Sequence, residues 1–301
     1  MILNLILIIS LICPPVAIAT EYEPTYVTSW GFYGPGPGTF RQPMGILCYN
    51  NEIYVCDQDN ARIQIFNENG TFLRQFGVYG STEGFLNGPS HIALYNSSFY
   101  VTEYGNHRVS VFSTAGNFLS SFGTGRLSNP RGIFISVDKI YITNKGLNNV
   151  AVFDINGNFL FNFGQFNEPT GITGANNKIY VADTKNNLIQ IFDENGIYIG
   201  SIPVAYPLGL QNLDGTLYCT KRDGVIRYTY GFQILAEWGC QGSAYKYYFS
   251  SPSDIAFDGI NSIYIADTSN NEIDKWSYLD VASVATKKTT WGKIKSVLGQ
   301  P

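Results

Sequence analysis

Few side chains of this 301-residue chain could carry out acid–base or transition-metal chemistry, because it contains only two histidines, His91 and His107. Carboxylates are placed more regularly. A carboxylate or an amide ends a recurring β-prone run at Asp57, Glu103, Asn144, Asp183 and Asp267. A carboxylate in this place could be a general acid or base, but an asparagine could not. An acceptor for the backbone N–H groups of the next turn explains both residue types, so we interpret the series as structural.

A second pattern follows the prolines that open each copy of a repeated unit. Four copies have a glycine two residues after the proline, which is typical of a close backbone approach: Gly45, Gly132, Gly171 and Gly209. The same position holds His91 in the second copy and Asp254 in the sixth. These two departures put ionisable side chains where the other copies have none.

The element that must position these residues is a unit of about 40 residues, first seen at 40–77. It contains β-prone runs at 45–49, 53–57, 62–66 and 72–76, separated by Asn-, Asp- and Gly-rich turns typical of antiparallel connections. The opening prolines of the copies are Pro43, Pro89, Pro130, Pro169, Pro207 and Pro252. Six such units predict an all-β fold, a six-bladed β-propeller of four-stranded antiparallel blades.

The two ends of the repeat region predict how the ring closes. Residues 26–31 match the end of a fourth strand, and the last unit ends at 272–278 with a third strand. We therefore expect residues 26–30 to form the outer strand of the sixth blade, which leaves only short edges. Residues 284–292 are the alternative for this place.

The repeat resembles the NHL family over residues 26–278, and the motif that names the family is nearest to form at Asn106-His107-Arg108. This resemblance implies that the first strand of each blade lines a central channel. It also implies that the ligand site lies on the face where these strands begin. His91, Asp254 and the neighbouring Arg131 would then be polar groups at the channel mouth. The alternative is a hydrated channel lining without a function.

The linkers that precede the opening prolines differ in length. Those entering units one, two and six are long, and these units become neighbours once the ring closes. We expect an aromatic rim on this side of the face, suited to peptide or sugar recognition, with Tyr33, Tyr79 and Tyr245 as ligand-binding candidates. Some of the linker aromatics must instead pack the linkers against the blades; the full set is Phe32, Tyr33, Phe40, Tyr79, Phe85, Tyr245, Tyr247, Tyr248 and Phe249.

The termini indicate export. Residues 1–19 contain an apolar run, a Pro-Pro pair and a small-x-small site, which predict a cleaved signal peptide; an uncleaved anchor is the alternative. We expect a propeller at 20–278, a basic tail at 279–301, a secreted or extracytoplasmic location, and no membrane span after cleavage. Asn69 and Asn96, in sequons on predicted hairpin turns, are the glycosylation candidates.

Four cysteines remain outside the predicted signal peptide: Cys48, Cys56, Cys219 and Cys240. None belongs to a C-x-x-C pair. The turn at 50–51 pairs Cys48 with a residue near Ile53 rather than with Cys56, and an even number of cysteines does not by itself establish a disulfide.

Three classes of function are compatible with these features. The leading expectation is a binding module for a peptide, a protein or a glycan. The second is a lyase or hydrolase with a divalent metal at the channel mouth. The secreted peptidyl-amidoglycolate lyases, which are similar in fold, hold zinc with three histidines, and this chain has two. A calcium ion in the central channel, bound by Asp254 and backbone carbonyls, stays open.

The third class is the RNA-binding propeller of the tripartite-motif proteins, which needs a basic face. The net charge of −4 and the predicted signal peptide argue against it, so we expect no nucleic-acid partner.

Overall fold

The computed structural model describes residues 23–239, 248–259 and 261–278. In these ranges the strands form six sheets of four antiparallel strands. The first strands of neighbouring sheets contact one another around a central channel. The predicted six-bladed β-propeller is therefore confirmed.

The strand β1 (Thr25–Trp30) precedes the blades, and the next twelve strands form blades one to three in chain order. Blade one contains β2 (Pro43–Tyr49), β3 (Glu52–Asp57), β4 (Arg62–Asn67) and β5 (Phe72–Phe76). Blade two contains β6 (Pro89–Tyr95), β7 (Ser98–Glu103), β8 (Arg108–Ser113) and β9 (Phe118–Phe122). Blade three contains β10 (Pro130–Ile135), β11 (Lys139–Asn144), β12 (Asn149–Asp154) and β13 (Phe159–Phe163).

Blades four and five repeat this plan, and blade six takes its fourth strand from the other end of the repeat region. Blade four contains β14 (Pro169–Ala175), β15 (Lys178–Asp183), β16 (Leu188–Asp193) and β17 (Tyr198–Pro203). Blade five contains β18 (Pro207–Leu213), β19 (Thr216–Lys221), β20 (Gly224–Thr229) and β21 (Ile234–Trp238). Blade six contains β22 (Pro252–Phe257), β23 (Ser262–Asp267), β24 (Glu272–Ser277) and β1.

Short 3₁₀ turns connect the second and third strands in blades one, three and four. They span Gln58–Asn60, Lys145–Leu147 and Thr184–Asn186. The residue after each turn has a positive φ, between 53° and 58°, which is the left-handed conformation that lets the chain reverse into the third strand.

The N-terminal strand closes the ring, as the sequence predicts. β1 pairs antiparallel with β24, from Thr25 opposite Ser277 to Trp30 opposite Ile273. Trp30 packs edge-on against Tyr264, with ring centroids 6.1 Å apart. The alternative segment, 284–292, lies outside the described residues.

The hydrophobic core lies between blades rather than within them. Each pair of neighbouring blades encloses one cluster of buried side chains among the described residues. At the closing junction, Phe40, Ile46 and Phe66 from the side of blade one meet Tyr264 and Ile273 of blade six. Because the second strands are covered on both faces, they are buried almost throughout, which is why they read as near-continuous apolar runs.

The two faces of the ring carry different connections. The linker face carries the segments that precede the opening prolines, such as 31–42 and 77–88, together with the turns between second and third strands. The hairpin face carries the turns between first and second strands and between third and fourth strands. This division follows from the antiparallel register, in which Pro43 lies opposite Asp57 and Asp57 lies opposite Arg62.

Candidate functional site

The central channel opens at the linker face through a cavity of about 40 Å³. All six blades contribute residues from the start of their first strands, among them Met44, Thr170 and Leu208. The glycines here are required by close packing, as predicted. A Cβ on Gly45 would lie 2.6 Å from the Cα of His91, a separation that neighbouring backbones do not tolerate.

His91 and Asp254 meet at this channel mouth, although they are far apart in sequence. The Nε2 atom of His91 lies 3.2 Å from Oδ2 of Asp254. Asp254 is 3% exposed and also accepts a hydrogen bond from the backbone N–H of Ile46 at 2.9 Å. The Nδ1 atom of His91 is buried and has no hydrogen-bond partner in the described part of the chain.

Arg131, the third predicted residue, lines the same cavity. Its guanidinium lies over the ring of Tyr104, 4.7 Å from the centroid. Its Nε and Nη1 atoms are buried, and no acceptor among the described residues reaches them. Burial lowers the pKa of Arg131, and the charges of Tyr104, Glu168 and Asp59 oppose this shift. The structure thus brings the three predicted residues together, and their role in binding stays a prediction.

The linkers entering blades one and two have the same conformation. Tyr33 pairs with Phe40 in an isolated β-bridge, and Tyr79 pairs with Leu86 in the same way. Phe40 and Leu86 are fully buried, whereas Tyr33 and Tyr79 are 66% and 72% exposed. An apolar anchor therefore fixes each linker and leaves one tyrosine available on the linker face.

The linker aromatics divide into exposed and packed residues. Phe32, Phe85 and Tyr248 are exposed, whereas Phe40 and Phe249 are buried and pack their linkers against the blades. Phe249 packs against Trp276, with ring centroids 5.6 Å apart. Tyr245 and Tyr247 lie outside the described residues.

A polar groove lies beside the channel mouth, between the linker of blade one and the turn 268–271 of blade six. Its volume is about 590 Å³, and its lining residues are Tyr33, Arg41, Gln42, Asp59, Thr268, Ser269 and Asn271. The Arg41 guanidinium lies 5.3 Å from the centroid of the Tyr33 ring. Thr268 joins the groove to the channel, because its hydroxyl lies 2.6 Å from the Ser253 hydroxyl.

The acids that end the second strands are structural, although their partners differ from the prediction. Their backbone donor comes from the linker, whereas the next turn contributes a side-chain amide, such as Asn60 to Asp57 at 2.9 Å. The donor is in each case the backbone N–H two residues before the opening proline, as for Arg41 to Asp57 at 2.7 Å and Ser250 to Asp267 at 2.8 Å. Asn144 accepts the same bond from Ser128 at 2.6 Å, which explains why an amide suffices.

Third-strand donors complete these acid sites in blades one and two. Arg62 contacts Asp57 through Nε at 2.8 Å, and Arg108 contacts Glu103 in the same way at 2.6 Å. These arginines are 6% exposed and are therefore not available to a polyanion. Burial raises the pKa of Asp57, and donors that include the Arg41 N–H, Asn60 and Arg62 oppose this shift.

Blade six lacks these donors and carries a group of carboxylates that the sequence analysis missed. Oxygen atoms of Asp267, Glu272 and Asp274 lie within 4.8 Å of one another. Burial, with the neighbouring Glu272, raises the pKa of Asp267 to about 7. Burial, with Asp267 and Glu272, raises the pKa of Asp274 to about 8. The signal was present in the aligned third strands, where RIQIF in blade one corresponds to EIDKW in blade six.

Other predicted features are placed as follows. Cys48 pairs with Ile53, as expected, and Cys48, Cys56 and Cys219 are free thiols, while Cys240 lies outside the described residues. His107 accepts a hydrogen bond from the backbone N–H of Asn129, away from the channel. The segments 1–19 and 279–301 also lie outside the described ranges. Among the described residues, 23–239, 248–259 and 261–278, no helix has the length and apolar character needed to cross a bilayer.

Comparisons with known proteins agree with this architecture. The NHL repeat model matches residues 166–192, which belong to blade four. No curated protein matches the sequence.

Three similar solved structures are named by their activities or partners. A streptogramin B lyase is 16% identical over 84% of this chain and 98% of its own, with a TM-score of 0.63. A gluconolactonase from Xanthomonas campestris is 16% identical over 79% of this chain and 86% of its own, with a TM-score of 0.63. A chain of a nidogen/laminin complex is 18% identical over 67% of this chain and 81% of its own, with a TM-score of 0.57. At such identities the likeness concerns the fold alone, and the chain is a six-bladed β-propeller that carries an NHL repeat.

Proposed function

We propose that the protein is a binding module that engages a peptide, a protein or a glycan on its linker face. The observation that carries this proposal is the set of three polar side chains at the channel mouth. Arg131 has buried N–H donors without an acceptor among the described residues, and it lies beside the His91–Asp254 pair. A buried donor without a partner costs free energy, which a ligand oxygen placed over the channel mouth would recover. Guanidinium groups bind carboxylates and other planar oxygen groups well.

The surface around the channel mouth supports the same proposal. The exposed Tyr33 and the polar groove of about 590 Å³ lie on the same face, and Thr268 connects the groove to the channel. The Nε atom of Arg41 in this groove is buried and has no acceptor among the described residues. Tyrosine and arginine side chains dominate many recognition surfaces because they combine apolar area with hydrogen-bonding groups.

The size of the channel cavity favours binding across the face over an enclosed lyase or hydrolase site. Its volume of about 40 Å³ accommodates a water molecule or an ion. Sites that enclose an organic substrate are roughly 300–1,000 Å³. An RNA-binding role has less support, because Arg62 and Arg108 are buried in ion pairs with Asp57 and Glu103.

We further propose an extracytoplasmic location, on the strength of residues 1–19. The sequon residues Asn69 and Asn96 both lie in turns of the hairpin face, where Asn96 has a φ of 45°. Glycans attached there would leave the linker face open to a ligand.

The test uses the purified chain with a random-peptide display library and a glycan array. Ligands selected on the wild type are then measured against His91→Gly, which introduces the glycine of four other blades, and against Tyr33→Ala. We expect each substitution to weaken binding about 5-fold or more, equivalent to about 1 kcal/mol. Asp254→Gly and Tyr79→Ala are expected to act in the same way.

The matched control is Asn96→Ala on the hairpin face, which should leave affinity unchanged. The proposal is overturned if a selected ligand binds the linker-face variants as tightly as it binds the wild type but does not bind Asn96→Ala.

A further inference from the structure

The polar sites between second and third strands follow one rule in blades one, two and four. The acid that ends the second strand receives a hydrogen bond from the side chain two residues into the third strand. Gln64 donates to Asp57 at 3.0 Å, and Gln190 donates to Asp183 at 2.6 Å. Ser110 has this role in blade two. In these blades the buried carboxylate is therefore surrounded by donors.

Blade six breaks this rule with carboxylates at both positions. The register places Glu272 opposite Asp267, where blade one has Arg62 opposite Asp57. It places Asp274 where blade one has Gln64. A site that holds one acid and two donor side chains in blade one thus holds three acids in blade six.

Two of these acids, Asp267 and Asp274, are withdrawn from solvent, and Asp274 has no compensating donor. Asp267 is 1% exposed and Asp274 is 7% exposed. Asp267 retains the backbone N–H of Ser250 and the amide of Asn270 as donors. Across the residues that the structure describes, the side-chain carboxylates of Glu272 and Asp274 take part in no hydrogen bond and no ion pair. A buried carboxylate without donors requires either a proton or a cation.

We propose that Asp267, Glu272 and Asp274 form a binding site for a calcium ion. Hard divalent cations take oxygen ligands, and two ligands at about 2.4 Å from one Ca²⁺ lie at most about 4.8 Å apart. The carboxylate oxygens of the three residues satisfy this limit. Calcium fits better than zinc, because the group contains no histidine or cysteine.

The site is open to a hydrated ion from one side. Glu272 and Asp274 line a cavity of about 700 Å³ together with Ser29, Tyr248 and Asn270. Ser29 lies directly opposite Asp274 in the pairing of β1 with β24. The remaining ligands of an ion with six to eight oxygens would be water molecules in this cavity. The ion would therefore join β23 and β24, in the sheet that β1 completes to close the ring.

The experiment measures the melting temperature of the purified chain after removal of metal with EGTA and then with added CaCl₂. At a calcium concentration about 100-fold above Kd, we expect the melting temperature to rise by roughly 5–10 °C. The test variant is Asp274→Gln, which introduces the residue of blades one and four. It should fold without calcium and lose the rise. If the glutamine variant does not fold, calorimetric titration of Asp274→Asn with CaCl₂ is the second measurement, and it should show no binding heat.

The matched control is Asp183→Asn, which changes the blade-four counterpart of Asp267 to the residue that blade three has at Asn144. It should retain the calcium response. The proposal is overturned if the wild type shows neither a thermal shift nor binding heat, or if NaCl of equal ionic strength produces the same rise. It is also overturned if Asp254→Gly loses the response while Asp274→Gln keeps it, because the ion would then lie in the channel.

Discussion

The buried ion pair of blade one provides a quantitative test of how the linkers are held. Arg62 donates to Asp57 at 2.8 Å, to Gln75 at 3.0 Å, and to the carbonyl oxygens of Gly36 and Thr39 at 2.6 and 3.1 Å. Arg62→Leu would remove all four bonds and leave the fully buried Asp57 without a counter-charge.

Removal of one partner from a buried pair costs about 3–5 kcal/mol. For a domain of this size, that loss lowers the melting temperature by roughly 10 °C or more. The loss of stability caused by Arg62→Leu should be smaller at pH 5 than at pH 8. Burial already raises the pKa of Asp57, and loss of the cation raises it further. An acid whose pKa is raised by folding destabilises the protein as the pH rises from the unfolded to the folded pKa.

The assay is thermal and urea unfolding of Arg62→Leu beside Arg74→Leu. Arg74 forms an exposed pair with Glu52, with side chains 47% and 24% accessible, so its loss should cost 0 to about 1 kcal/mol. The double variant Asp57→Asn/Arg62→Leu should recover part of the loss, because Asn144 holds the linker of blade three without charge. Equal effects of Arg62→Leu and Arg74→Leu would refute the reasoning.

Two further perturbations address closure and packing. Deletion of residues 20–31 removes β1, exposes the edge of β24, and should lower the urea midpoint of unfolding; an unchanged midpoint would contradict closure by β1. Gly209→Ala places a methyl group 2.6 Å from the carbonyl oxygen of Ser253 and should destabilise the protein by about 1–3 kcal/mol. The control Gly200→Ala, with no atom within 4 Å of its Cβ, should be tolerated in the same thermal assay.

The architecture was predictable because the repeat encodes it locally. Each blade has its own turn residues and its own apolar second strand, so one copy predicts the register of the others. The closing strand was also predictable, because residues 26–31 match the fourth-strand endings of other blades. The position of His91 beside Asp254 followed once the first strands were placed around a common axis.

Side-chain partners were harder to predict, because they depend on how linkers fold over the blades. The sequence did not show which linker aromatics pack inward: Phe40 and Phe249 are buried in the cores between blades, whereas Phe32 and Phe85 are exposed. The acids of the second strands receive donors from residues 16 or 17 positions earlier in the chain, a separation that turn chemistry does not indicate. The carboxylates of blade six required a comparison of third strands position by position, and only the structure shows that Asp274 is buried without a donor.

The most direct test of the proposed binding face is amide hydrogen exchange of the propeller with and without the tightest ligand selected from the peptide library or the glycan array. The account predicts slower exchange in the linkers 31–42 and 77–88 and in the turn 268–271, with unchanged exchange in the hairpin-face turns at 50–51 and 96–97. Slower exchange confined to the hairpin-face turns would contradict it.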